Sequence, residues 1–240
     1  MRREHVELSG GTVIAYGHYG RPFLVFASEQ GRAWDFENNG MIDAVRPLLD
    51  DGRAKLYCVD SYDAQSWSDR SIPLEERARR HGTYEGWILD NVLPFIHSDS
   101  GAQEVATVGC SLGAFHAVLF ALRRADLFPL ALAFSGNYDA SSWHGWGDRG
   151  DALYFANPVD FVPNLDGGHL EWLRDRLSLL LVVGQGQWED TTGSLRSTRH
   201  MAQLLQSKGL RCELDVWGHD VPHDWPSWRN QLAHHLPRFC

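Results

Sequence analysis

The chain has 240 residues, 43% of them hydrophobic, and a formal net charge of −9. That supplies one full core of α/β type, and the acidic balance (pI ≈ 5.7) excludes nucleic acid and anionic membrane surfaces as main partners. No apolar window approaches the length of a membrane span, and the charge cluster Met1–Glu7 has no apolar stretch behind it. The four cysteines, Cys58, Cys110, Cys212 and Cys240, form no C-x-x-C pair; the first three lie on predicted strands or their ends and read as buried free thiols, so a reduced, cytoplasmic protein is expected.

In chain order, residues 5–18 read as an antiparallel hairpin turning at Gly10-Gly11. Phe23 to Ala27 is a buried strand that opens into the loop Ser28–Trp34, followed by a helix around Met41–Leu49 and a strand at Lys55–Asp60. A helix is predicted from about Thr83 to His97, with Tyr84, Trp87, Ile88, Val92 and Phe95 on one face. Glu104 to Val108 is a short apolar strand, and Ala114 to Phe128 an almost wholly apolar helix. Leu130–Phe134 is a strand, and residues 137–172 form an irregular Gly-, Asp- and Trp-rich excursion with one or two short helices. Leu177–Val183 is another buried strand, Ser194–Ser207 a helix capped by Gly209, and Cys212–Trp217 an edge strand; Pro226 opens the last helix.

This alternation predicts one α/β domain over residues 1–240. Its mostly parallel central sheet is opened by an antiparallel N-terminal hairpin and covered by helices on both faces. Ligands in such sheets bind beyond the carboxyl ends of the strands. That rule gathers the loops Ser28–Trp34, Ser61–Trp67, Asn137–Trp146, Gly184–Thr191 and Gly218–Trp225 on one rim with Ser111. Trp34, Trp67, Trp143, Trp146, Trp188 and Trp225 fall on these loops and read either as signs of an aromatic or apolar acyl group or of sugar stacking, or as a roof over the core.

Gly109-Cys110-Ser111-Leu112-Gly113 stands between a predicted strand and a predicted helix, the context of a G-x-S-x-G nucleophile elbow. A serine hydroxyl needs a base to take its proton and a carboxylate to orient that base, in the chain order serine, acid, histidine. His223, just ahead of the last helix, is preferred as base over His219. The acid is expected after the penultimate strand, in the order of preference Glu189, Asp190, Asp139. An oxyanion needs two donors: the Leu112 N–H at the helix start, and an N–H of Glu29 or Gln30. The pairs His219-Asp220 and His223-Asp224 also invite a metal reading, but Pro222 separates them and no third cluster completes a ligand set. No metal or cofactor is expected.

Taken together, Gly109-x-Ser111-x-Gly113, Phe128, Ser135-Gly136-Asn137-Tyr138-Asp139 and His223-Asp224-Trp225-Pro226 resemble one esterase branch of the α/β-hydrolases. That branch takes in esterase D-like enzymes, feruloyl and siderophore esterases and mycolyltransferase-type proteins. The helix with Tyr84 and Val92-Leu93-Pro94-Phe95-Ile96 is similar to the branch's helix before the nucleophile strand. The resemblance implies a triad of Ser111, Glu189 or Asp190, and His223. Ala114 departs from the glycine many relatives have there, and Ser28-Glu29-Gln30 replaces a His-Gly pair in the oxyanion loop. The expected activity is hydrolysis of a small-molecule carboxylic ester through an acyl-enzyme. An acyltransferase with the same triad and a non-catalytic binding protein on a hydrolase scaffold are the alternatives.

Overall fold

The computed structural model describes residues 1–240. One eight-stranded sheet runs through it in the order β1-β2-β4-β3-β5-β6-β7-β8. The strands are β1 Arg3–Leu8, β2 Gly11–Tyr16, β3 Arg21–Phe26, β4 Ala54–Val59, β5 Ala106–Cys110, β6 Leu130–Phe134, β7 Ser178–Val183 and β8 Arg211–Val216. β1 pairs antiparallel with β2, and β2 antiparallel with β4; every later pairing is parallel. The chain is an α/β-hydrolase fold, as expected.

The helices are α1 Asp35–Asn38, α2 Met41–Ala44, α3 Arg46–Asp50, α4 Leu74–Trp87, α5 Leu93–Ser100, α6 Leu112–Arg123, α7 Asp151–Ala156, α8 Pro158–Phe161, α9 Gly167–Arg176, α10 Ser194–Ser207 and α11 Trp225–His235. None is long and apolar enough to cross a membrane. Alternate residues of the central strands enter two separate cores. Leu24 and Phe26 join the layer with α4 to α6 and α10, whereas Phe23 and Val25 join the layer with α1 to α3 and α11.

Three sequence expectations need correction. The helix placed at Thr83 begins at Leu74 and continues through a π-turn at Ile88–Val92 to Ser100. Its first turns, Glu75-Glu76-Arg77, carry too much charge to show an apolar face, and their partners are remote. The Glu75 carboxylate accepts the Gly150, Ala152 and Leu153 N–H groups at the start of α7. Buried Arg77 donates to the carbonyls of Ile72, Trp67, Trp143 and His144. The helix expected over Met41–Leu49 is broken into α2 and α3 at Val45, the residue before the Arg46-Pro47 start of α3. The excursion over residues 137–172 is more helical than expected, holding α7, α8 and the start of α9.

β4-β3-β5 is the place where the strand order reverses. The loops after β3 and β5 diverge there, and the crevice between them is where a ligand enters such sheets.

Candidate active site

β5 ends at Cys110 and α6 begins at Leu112, so Ser111 alone makes the turn, with φ 57° and ψ −121°. A non-glycine residue held there is strained by about 1–3 kcal/mol, and the surroundings hold it. Its N–H donates to the Phe134 carbonyl at the end of β6, 2.9 Å away. The flanking glycines permit the close crossing of strand and helix. A Cβ at Gly109 would sit 2.1 Å from the Gly113 oxygen, and one at Gly113 would sit 2.6 Å from the oxygens of both Phe26 and Ala27. Cys110 turns into the opposite core and is wholly buried, which pushes its thiol well above its ordinary range.

The loops after β7 and β8 are zipped by their backbones. Gly186 N–H donates to Val221, Gln185 N–H to Gly218, and His223 N–H to Gln187. Directly after His223, Asp224 caps α11 by accepting the Ser227 N–H at 2.9 Å. The His223 ring stands edge-on to Trp228, with centroids 4.9 Å apart. Its Nε2 lies 3.0 Å from Ser111 Oγ and its Nδ1 lies 3.1 Å from Glu189 Oε2. A carboxylate can only accept, so Nδ1 carries the proton and Nε2 accepts the serine hydroxyl.

Glu189 is fully buried, and neighbouring Asp190 points to solvent. The other Glu189 oxygen, Oε1, accepts the Ser135 hydroxyl at 2.5 Å and the Gly184 N–H at 3.3 Å. Ser135 Oγ in turn accepts the Trp228 indole N–H at 3.1 Å. Sequence reasoning missed Ser135 and Trp228 as supports of Glu189. The available signal was a serine at the rim end of a wholly buried strand. The remaining candidates lie elsewhere. Asp139 accepts the Ser141 N–H and caps a single 3-10 turn, and His219 is exposed.

Of the two expected second oxyanion donors, Gln30 stands aside from the cavity. Its N–H is directed at Asp63 Oδ2, 3.4 Å away, and it does not line the cavity beside Ser111. Glu29 lines that cavity together with Ser111 and Leu112. Neither the Glu29 nor the Leu112 N–H has an acceptor within the protein.

A family model described as "Putative esterase" matches residues 36–239. The chain belongs to this esterase family. A search of curated proteins finds no match. Among solved structures, the esterase is similar to a ferulic acid esterase, with TM-score 0.73, 15% identity, and 99% of this chain and 96% of that one covered. It is also similar to the S-formylglutathione hydrolase of Staphylococcus aureus, with TM-score 0.71, 11% identity, and coverage of 99% and 96%. A third likeness is to MPT51 (FbpC1) of Mycobacterium tuberculosis, with TM-score 0.71, 13% identity, and coverage of 99% and 97%. The esterase is a hydrolase by family.

The cavity at Ser111 holds about 300 Å³. Its walls are mostly polar, with Ser68, Asn137, Ser142, Thr191 and Thr192 among them. Of the six rim tryptophans, Trp67 and Trp143 reach it, packed edge-to-face 5.5 Å apart. Trp67 is almost wholly buried and roofs the core, while Trp34, Trp146 and Trp188 are exposed away from the cavity.

Proposed function

We propose that this esterase hydrolyses a carboxylic ester through an acyl-enzyme on Ser111, with His223 as base and Glu189 as its orienting acid. The observation that carries the reading is the unbroken hydrogen-bonded line from Ser111 Oγ through both His223 nitrogens to a buried Glu189 that two further donors hold still.

Ser111 Oγ attacks the ester carbonyl carbon as its proton passes to His223 Nε2, and the carbonyl π electrons move onto oxygen. Glu189 stabilises the imidazolium through Nδ1–H. The Leu112 N–H, at the positive end of α6, and the Glu29 N–H donate to the oxyanion. Collapse of the adduct breaks the bond to the alcohol oxygen, which leaves with the proton from Nε2. Water then attacks the acyl carbon, giving its proton to His223. Ser111 departs, recovering that proton, and the carboxylic acid is released. A cavity near the lower end of ligand-pocket volumes, with polar walls, supports a short acyl group.

The reading is tested with a fluorophosphonate probe and a nitrophenyl acetate assay. Wild type is labelled and turns over; Ser111→Ala folds and does neither. Labelling that persists in the variant would move the chemistry away from Ser111.

A further inference from the structure

Outside the line of Ser111, His223 and Glu189, the most deeply buried carboxylate at the rim belongs to Asp63. Its side chain and that of His116 are each only 1% exposed. Oδ1 accepts from His116 Nε2 at 2.9 Å, while Oδ2 accepts from the Ser61 hydroxyl at 2.5 Å and the Gln30 N–H at 3.4 Å. A carboxylate is costly to bury unless donors surround it, and these donors come from three separate segments. Gln30 lies in the loop after β3, Ser61 in the loop after β4, and His116 on α6, the helix that Ser111 begins.

Asp63 therefore joins the helix that supplies the Leu112 N–H to the loop that supplies the Glu29 N–H. That loop needs a tie. Ser28–Gly31 is a tight turn closed by the Gly31 N–H on the Ser28 carbonyl at 2.9 Å, and its third residue, Gln30, is held at φ +55°. A non-glycine residue at that φ is strained, and a turn left to itself would relax. Two backbone contacts oppose the relaxation, Asp63 on the Gln30 N–H and the Ser61 N–H on the Gly31 carbonyl at 3.1 Å, beside the Ser68 hydroxyl on the Glu29 carboxylate at 2.6 Å. Peptide units are planar, so the freedom between the two amides lies in the φ and ψ of Glu29 alone. Fixing the Gln30 N–H on Asp63 narrows where the Glu29 N–H can point.

We propose that Asp63 is a positioning residue of the oxyanion hole, anchored to the nucleophile helix through His116 and aiming the Glu29 N–H at the carbonyl oxygen beside the Leu112 N–H. This rests on the reading of Ser111 as nucleophile. Asp63 touches no reacting atom. Its effect is felt where negative charge develops and is absent from the ground-state complex, so it belongs in kcat and not in KM.

The test is Asp63→Asn, whose amide has one acceptor oxygen for donors that now occupy two. With nitrophenyl acetate, kcat should fall about 10- to 100-fold with KM changed less than about threefold. Affinity for a trifluoromethyl ketone, which adds to the serine as an oxyanion, should fall in parallel with kcat. A merely structural role would lower the thermal midpoint without that parallel. A folded Asp63→Asn with unchanged kcat and inhibitor affinity, or with a raised KM alone, overturns the proposal. If the variant does not fold, Ser61→Ala, which removes one donor and leaves the carboxylate, is read by the same criteria with a loss of about threefold or more expected. Ser111→Ala runs alongside. Turnover that survives in it brings down the serine reading itself; loss there with Asp63→Asn unaffected brings down only the positioning role.

Discussion

Glu189→Gln is a perturbation whose outcome the surroundings dictate. The glutamine amide must place its carbonyl at one of the two carboxylate oxygens and its NH2 at the other. Oε1 is met by two donors, the Ser135 hydroxyl at 2.5 Å and the Gly184 N–H at 3.3 Å, whereas Oε2 is met only by His223 Nδ1. The carbonyl therefore takes the Oε1 place, and the NH2 faces the imidazole. His223 must then accept at Nδ1 and carry its proton on Nε2, where it points at Ser111 and can no longer take the serine proton. An equivalent reversal of tautomer lowers turnover by about 10⁴-fold, or about 5.5 kcal/mol in the barrier. Pre-steady-state acylation by nitrophenyl acetate should fall by about 10³–10⁴-fold, with KM and the thermal midpoint close to wild type. Asp190→Asn, at an exposed side chain, should stay within about twofold. A Glu189→Gln enzyme within about tenfold of wild type would refute the argument, and a greater loss in Asp190→Asn would show it misplaced by one residue.

Three further outcomes are expected. Gly113→Ala sets a methyl group 2.6 Å from two backbone oxygens, Phe26 and Ala27, and should cost about 1–3 kcal/mol or more in urea unfolding; a change below about 0.5 kcal/mol would show that the strand–helix crossing can give. His81 is wholly buried with neither ring nitrogen bonded, and burial pushes its pKa well below the ordinary 6.5. The unfolded chain binds this proton as pH falls below about 6.5 and the folded chain does not. Stability should therefore decline by up to about 1.4 kcal/mol per pH unit there, with no contribution at higher pH, and His81→Phe should flatten the slope measured by urea midpoints at pH 7.5 and about 5.5. In a series of nitrophenyl esters, kcat/KM should favour acetyl over octanoyl by about tenfold or more; a rise with chain length would contradict the cavity described at Ser111.

The parts legible in the sequence are those whose cause is local. Leu130–Phe134 and Ser178–Val183 announce themselves as buried strands because nearly every side chain is apolar, and the elbow does so because both glycines lie within two residues of Ser111. His223 gains from standing just ahead of an Asp-capped, proline-bearing helix start. Reach and spacing separate Glu189 from Asp190 in the sequence, and in the fold the first is buried while the second is exposed. What the sequence hides is set by remote partners. The first turns of α4 are helical and half-buried because Arg77 finds carbonyls up to 67 positions away. The Gln30 N–H is directed at a carboxylate 33 positions later, and no pattern near Gln30 signals that. Ser135 holds Glu189 across 54 positions.

The long reach of these bonds has a consequence for the life of the chain before it is finished. Ser111 meets His223 across 112 positions, and Asp63 meets His116 across 53. Contacts of such separation form late, after the entropy of closing long loops has been met. Helices such as α6 can form from their own sequence, yet a chain with every helix in place and β8 not registered on β7 holds only an ordinary hydroxyl at Ser111. His223 and Glu189 follow the last two parallel strands, at the far edge of the sheet from the β1–β2 hairpin. Under the proposed triad, ester hydrolysis is thereby withheld from half-folded molecules, and the first turnover marks the closing of the sheet's final edge.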